Sequence, residues 1–203
     1  MFVACGAHLI QADHIAHELM QPGQPVYNEV VRDFGAGILN PDGTVNRPKL
    51  AEAAFGHPES GGSSRITELN RIVHPAVVRR QDEWMDEVGA RDPRAVAIVE
   101  AALIIEAGAA DHFDRLIVVT SSEEQRVERF ARRLKLETER ARREVERRMA
   151  AQLPDSVKSR KAHYIIDNSG SLDATQAQVE RVYRLLKAEA EGREAAQNPV
   201  NSE

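Results

Sequence analysis

Asp13 closes a short apolar stretch, Ala7-His8-Leu9-Ile10-Gln11-Ala12-Asp13, that reads as a buried strand delivering a carboxylate to its C-terminal end. In an open α/β sheet, ligands sit in the crevice beyond the strand carboxyl ends, so Asp13 is the first catalytic candidate. Its position before a helical run also suits a plain N-cap. A second concentration of chemistry lies between Arg126 and Arg148, a basic patch in a chain whose formal net charge is -5. Glutamates interleave with those arginines, so a solvated, ion-paired helix face is the competing reading. Glu100 and Glu106 stand near the exit of an apolar run that begins at Val96, and His74-Pro75 interrupts a long helical stretch. Asn168-Ser169-Gly170 makes a turn directly after a further apolar run.

The elements that must position these groups follow from periodicity and punctuation. Ile15, Ala16, Leu19 and Met20 have helical spacing, ended by Pro22-Gly23 and Pro25. Helical pieces are predicted at 26–34 and 48–55, with an Asn40-Pro41-Asp42-Gly43 turn between them and a Gly/Ser/Pro-rich loop at 56–64. A long helix over 65–88 is expected to break at His74-Pro75. Val96-Ala97-Ile98-Val99, Leu116-Ile117-Val118-Val119 and Tyr164-Ile165-Ile166-Asp167 read as strands, the first as a central parallel strand buried on both faces. Thr120-Ser121-Ser122 followed by Glu123 and Glu124 marks a helix start, with a hydroxyl to cap it and acids suited to its positive end. An amphipathic helix over 172–186 closes the chain, and a frayed tail is expected from Glu189. Strands alternating with helices imply an α/β three-layer fold with a parallel sheet.

With 203 residues, and at roughly 100 to 200 residues per domain, the chain makes one substantial domain with an inserted helical lobe. The overall negative charge disfavours a general nucleic-acid or membrane-surface binder. Cys5 is the only cysteine, so an internal disulfide and a thiolate metal cluster are both excluded, and no metal-ligating residues are assigned. No apolar run is long enough to span a bilayer and no charged-then-apolar leader opens the chain, so a cytoplasmic setting is expected.

Taken in order, Gln11-Ala-Asp-x-Ile-Ala16, Pro22-Gly23-x-Pro25, Phe34-Gly35, Gly43 with Arg47, His74-Pro75, Leu103-Ile104-x-Glu106, Arg148-Met-Ala-Ala-Gln152 and Ile166-Asp167-Asn168-Ser169-Gly170 resemble dephospho-CoA kinase. The resemblance runs from the first residue to about Leu186. It implies a P-loop kinase fold and transfer of the ATP γ-phosphate to the ribose 3′-hydroxyl of dephospho-coenzyme A, with Mg²⁺, in the last step of coenzyme A synthesis. It implies that Asp13 takes the proton of the attacking hydroxyl, a role worth roughly 10² to 10⁴ in rate. The arginine-rich segment, about 126–158, resembles a lid whose guanidiniums reach the phosphates, and the matches are Arg133 and Arg148, with Arg129 third. Asn168 and Gly170 match the loop that holds adenine, and His74 the helical lobe that receives the coenzyme A portion. Glu106 matches an acid near the nucleotide side and is read as substrate-binding. On this reading 1–20 and 93–188 form the kinase core, 21–92 the inserted coenzyme A-binding lobe and 189–203 a polar tail.

One expected part is absent. A phosphate-binding loop needs Gly-x-x-x-x-Gly-Lys-Ser/Thr between a strand and a helix, so that backbone N-H groups cradle phosphates and the lysine reaches the β and γ groups. No such stretch occurs in the 203 residues. Gly56 to Ser63 imitates the glycine spacing but places Gly62 where the lysine belongs. The short run before Gly6 reads as the last turn of a helix, so the expectation is that the first strand and the loop lie upstream of an internal methionine. The alternative is a noncatalytic remnant of the family that binds coenzyme A-like ligands or a protein partner. Oligomeric state is not legible in the residues.

Overall fold

A computed structural model describes residues 1–55 and 64–197, with side chains to Gly192. The architecture is α/β, with parallel strands and helices. The chain divides into two compact units: Met1–Ala7 with the chain from Ala102 onward, and His8–Ala101.

The second unit is built from β1 (His8–Gln11), α1 (Ala12–Leu19), α2 (Pro25–Phe34), α3 (Arg47–Phe55), α4 (Ile66–Arg91) and β2 (Ala97–Glu100). Strands β1 and β2 pair in parallel, with Gln11 opposite Glu100 at the C-terminal end. The core gathers around α4, whose Ile72, Val73, Ala76 and Val77 make one stripe at helical spacing. Against it pack Ile15, fully buried, and Val26 and Val30, one turn apart on α2. Proline opens α2 at an early helical position, and Gly35 ends the helix with a φ of 82°. The Asn40–Gly43 turn forms as expected, with Gly43 at φ 84° and its N–H donating to Asn40 C=O at 3.0 Å.

The first unit contains β3 (Ile117–Thr120), α5 (Glu123–Leu134), α6 (Thr138–Ala150), α7 (Asp155–Lys161), β4 (Tyr164–Asp167) and α8 (Leu172–Gln197). Strands β3 and β4 pair in parallel, Ile117 opposite Tyr164 through Thr120 opposite Asp167. Alternation along the strands decides the two faces. Ile166 joins Val179 and Val182 of α8, with Ile117, Tyr164, Phe2 and Cys5 beside them. Val118 packs instead with Ile105 and Leu116, alongside Leu153 and Ala162. Helices α5 and α6 form an antiparallel hairpin with a small core of its own, Val127, Phe130, Ala141 and Val145.

Four expectations are corrected. Helix α4 runs unbroken through Pro75, because the apolar residues on both sides of the proline seat on one core and hold the helix together despite the missing N–H. Helix α8 continues to Gln197, well past Glu189. Glu189 accepts from the Tyr164 hydroxyl at 2.7 Å and pairs with Arg115 at 2.8 Å, which ties the helix down where composition predicts a frayed tail. The strand that begins at Ala97 is not buried on both faces: Ala97 and Glu100 are exposed and Ile98 and Val99 half-buried. Asp13 lies inside the first turn of α1 rather than at a strand end or at the N-cap, which is Gln11. The loop expected at 56–64 falls outside the described residues except for Ser64.

Residues Phe2–Cys5 form a single 3-10 turn closed by Gly6 at φ 106°. A Cβ at position 6 would lie 2.9 Å from the Tyr183 hydroxyl oxygen. Gly6→Ala is therefore expected to lower stability in urea denaturation by about 1–2 kcal/mol. Adding Tyr183→Phe should restore only part of the loss, because the left-handed backbone remains; full restoration would assign the whole effect to the hydroxyl.

Candidate functional site

In the His8–Ala101 unit, the parallel register brings Gln11 and Glu100 side by side, and Gln11 Nε2 donates to Glu100 Oε2 at 2.9 Å. Two residues on, Asp13 is exposed in the first turn of α1, where the unpaired N–H groups of a helix start favour a negative charge. The C-terminal end of this strand pair thus presents Glu100, held by an amide, and Asp13, open to solvent. An exposed carboxylate can accept a proton from an incoming hydroxyl. His74 is exposed on α4, on the side away from Ile72 and Val73, and neither caps nor breaks the helix.

In the other unit the arginines converge. Arg126, Arg129, Arg133 and Arg148 line an open cavity of about 360 Å³, together with Phe130 and Gln152. Ser122 caps α5 by accepting from Gln125 N–H at 3.3 Å, and Glu123 and Glu124 occupy the first turn. Lys135, at φ 53°, turns the chain from α5 towards α6, so the faces bearing Arg129, Arg133 and Arg148 meet.

The four guanidiniums are held differently. Arg126 pairs with Asp155 and is neutralised. Arg129 donates from Nη2 to the C=O of Asn168 at 3.0 Å, a bond that fixes its position but leaves its charge. Arg148 donates to Glu144 Oε1 at 2.8 Å, but Arg147 holds the same carboxylate with two bonds at 3.0 and 2.8 Å. Arg133 has only the Phe130 ring, 5.5 Å from guanidinium carbon to centroid, among the described residues. One carboxylate shared by two arginines, with Arg129 and Arg133 uncompensated, leaves the cavity positive and suited to a multiply charged anion.

Beside it, Asn168 links β3, α5 and α8. Its N–H donates to Thr120 C=O at 2.8 Å, its C=O accepts Arg129, and its Oδ1 accepts from Thr175 Oγ1 at 3.2 Å. Gly170 lies in the same bend, where an added Cβ would meet Ala174 Cβ at 3.6 Å. Glu106 is occupied: its Oε1 accepts from Leu153 N–H at 3.0 Å and pairs with Lys158 at 3.1 Å. Burial pushes its carboxyl up, but the N–H groups of Leu153 and of Glu106 itself, with Lys158, together outweigh burial and leave it below the usual range. The structure thus brings Arg129, Arg133 and Arg148 together, joins Asn168 to Arg129, and places Asp13 and His74 in the other unit.

Sequence reasoning missed Phe130, the Arg126–Asp155 pair and Lys158. Phe130 left a signal, as the one aromatic residue between Arg126 and Arg148 and three positions before Arg133. Nothing in the spacing of Asp155 or Lys158 announced their partners.

The family model for dephospho-CoA kinase matches residues 1–174. The chain belongs to the dephospho-CoA kinase family. It is 36% identical to the dephospho-CoA kinase of Corynebacterium efficiens, over 87% of this chain and 84% of the relative. That of Symbiobacterium thermophilum is 38% identical over 94% of this chain and 76% of the relative, and that of Aquifex aeolicus 36% identical over 92% and 88%. A solved protein from Thermus thermophilus superposes with a TM-score of 0.69 at 27% identity, covering 92% of this chain and 86% of that one. Dephospho-CoA kinase from Campylobacter jejuni shares the fold, with a TM-score of 0.63 at 23% identity over 93% and 90% of the two chains. No helix among the described residues is long and apolar enough to cross a membrane.

The ion-pair network of the α5–α6 hairpin has a pH signature. Glu144 is lowered from 4.5 to about 2, first by its hydrogen bond to Arg147, with burial opposing and Arg148 adding. Because the folded value is depressed, the stabilisation is present above 4.5 and is lost as pH falls through about 2. The stabilities of the wild type and of Glu144→Gln should differ near neutrality and converge towards that lower value. A carboxyl-carbon NMR titration of Glu144 with its midpoint near 4.5 would contradict the pairing.

Proposed function

We propose that the protein transfers the γ-phosphoryl group of ATP to the ribose 3′-hydroxyl of dephospho-coenzyme A, with Asp13 as the proton acceptor. Family membership carries this reading. The hydroxyl oxygen attacks the γ-phosphorus, the proton passes to the Asp13 carboxylate and ADP leaves. Phosphoryl transfer depends mainly on positioning and on charge stabilisation at the transferring oxygens, which is the service that Arg133 and Arg148 offer from the α5–α6 hairpin. Arg129 and Asn168, bonded to each other, are proposed to set phosphate grip and adenine position together, with Gly170 giving the bend room for the base. The helical segment 21–92, with His74 on its outer face, is proposed to receive the coenzyme A portion, and Glu106 to act near the substrates by holding the start of the Leu153 segment.

Among the described residues, no three His, Cys, Asp or Glu side chains come together to hold a metal ion. Magnesium ordinarily rides on substrate phosphates with one or two carboxylates, and no step here is assigned to it. A cytoplasmic setting, and the lack of any nucleic-acid or membrane partner, remain part of the proposal.

The 203 residues contain no Gly-x-x-x-x-Gly-Lys-Ser/Thr. The purified chain is accordingly expected to show no phosphoryl transfer in a coupled ADP assay, and robust turnover would overturn the loop's place in the mechanism. In the same chain joined behind a strand, phosphate-binding loop and helix, turnover should appear. There Asp13→Asn is expected to lower kcat by about 10²- to 10⁴-fold with little change in the KM for dephospho-coenzyme A. Unchanged kcat would remove Asp13 from the mechanism, and a fused chain that binds dephospho-coenzyme A without turnover would favour the noncatalytic alternative.

A further inference from the structure

The α5–α6 hairpin is small, yet it gathers several like charges around one cavity, and Arg133 has no carboxylate partner among the described residues while Arg148 only shares one. Phe130 is 7% exposed and packs with Val127, Ala141 and Val145. Arg133 and Arg148 both lie over its ring, with guanidinium carbons 5.5 and 5.0 Å from the centroid. The face of an aromatic ring carries partial negative charge and attracts a guanidinium within about 6 Å. One ring therefore serves two cations, one from each helix of the hairpin.

We propose that Phe130 is the positioning residue of the lid, holding the guanidiniums of Arg133 and Arg148 together so that they engage adjacent anionic groups of one polyphosphate. This rests on the reading of the cavity as a phosphate site. Phe130 presents no hydrogen-bond donor to the ligand and acts through the two arginines. The local chemistry supports a hand-over. Arg147 keeps two bonds to Glu144, so Arg148 can leave that carboxylate for a phosphate without stranding it. Once released, Arg148 keeps the ring as its anchor, and Arg133 has no other anchor among the described residues. An aliphatic residue would fill the hairpin core but leave both cations to swing and repel each other.

The test is titration of inorganic tripolyphosphate into the full chain by calorimetry at low ionic strength, with the fold of each variant checked by circular dichroism. Arg133→Ala and Arg148→Ala should each weaken binding. Phe130→Leu and Phe130→Met should weaken it by about three- to tenfold, and Phe130→Tyr should keep it near the wild-type value. On a background lacking both arginines, Phe130→Leu should add no further loss. If the arginine variants bind like the wild type, the phosphate reading of the cavity fails and this proposal with it. If they bind weakly while Phe130→Leu and Phe130→Met bind normally, the phosphate reading stands and the role of Phe130 is overturned. Loss in Phe130→Tyr equal to that in Phe130→Leu would also overturn it, by making the effect one of shape. The unaltered chain gives a check that needs no variant: ring-current shifts of the Arg133 and Arg148 side-chain resonances are expected in NMR spectra, and their absence would overturn the geometry.

Discussion

Repulsion between guanidiniums is the constraint that shapes the α5–α6 hairpin. A cavity that is to bind a polyanion must be positive before the ligand arrives, and positive groups brought together resist it. Each arginine here is restrained by a different means: a carboxylate for Arg126, a backbone carbonyl for Arg129, a shared carboxylate and a ring for Arg148, and the ring for Arg133. Only the first cancels a full charge. The others fix direction while leaving charge in place, which keeps the arginines available for an anionic ligand. Sharing Glu144 between two arginines serves the same end, because a carboxylate for each would cancel the field it is meant to organise.

The same logic extends into the framework around the cavity. Glu106, on the loop after β2, accepts the N–H of Leu153, and Lys158 joins that carboxylate to Gln152 through a bond of 2.7 Å. Asp155, at the start of α7, pairs with Arg126. Four polar contacts thus fasten the segment that leaves α6, the end of the hairpin nearest Arg148. Half-buried pairs of this kind contribute little to stability once desolvation is counted, so their value lies in fixing where the hairpin ends.

Much of this is legible in the residues alone. β4 falls at Tyr164–Asp167, where a β-branched run bounded by a turn places it, and Ser122 caps α5 as its hydroxyl and the following acids foretell. The departures share a cause, tertiary contacts that local pattern does not encode. Pro75 argues for a break until one core is seen to hold the turns on both sides of it. Polarity after Glu189 argues for fraying until Arg115 and Tyr164 are found holding that residue. Asp13 reads as the end of a strand because the apolar run continues, yet the helix begins one residue earlier. The convergence of Arg133 and Arg148 depends on the register between α5 and α6, which the charge pattern of either helix alone leaves free. Asp13 and His74 stand in the unit without the arginines, so their roles rest on the family likeness and not on proximity.

The strands carry one further implication. Among the described residues each parallel pair has only two members, so every strand keeps one side of its peptide ladder free of strand partners. Val119, on β3, is 57% exposed as well. Where such an edge is not covered, it is a template on which another polypeptide can lie down in extended form, and natural proteins usually blunt such edges with charge, proline or cover.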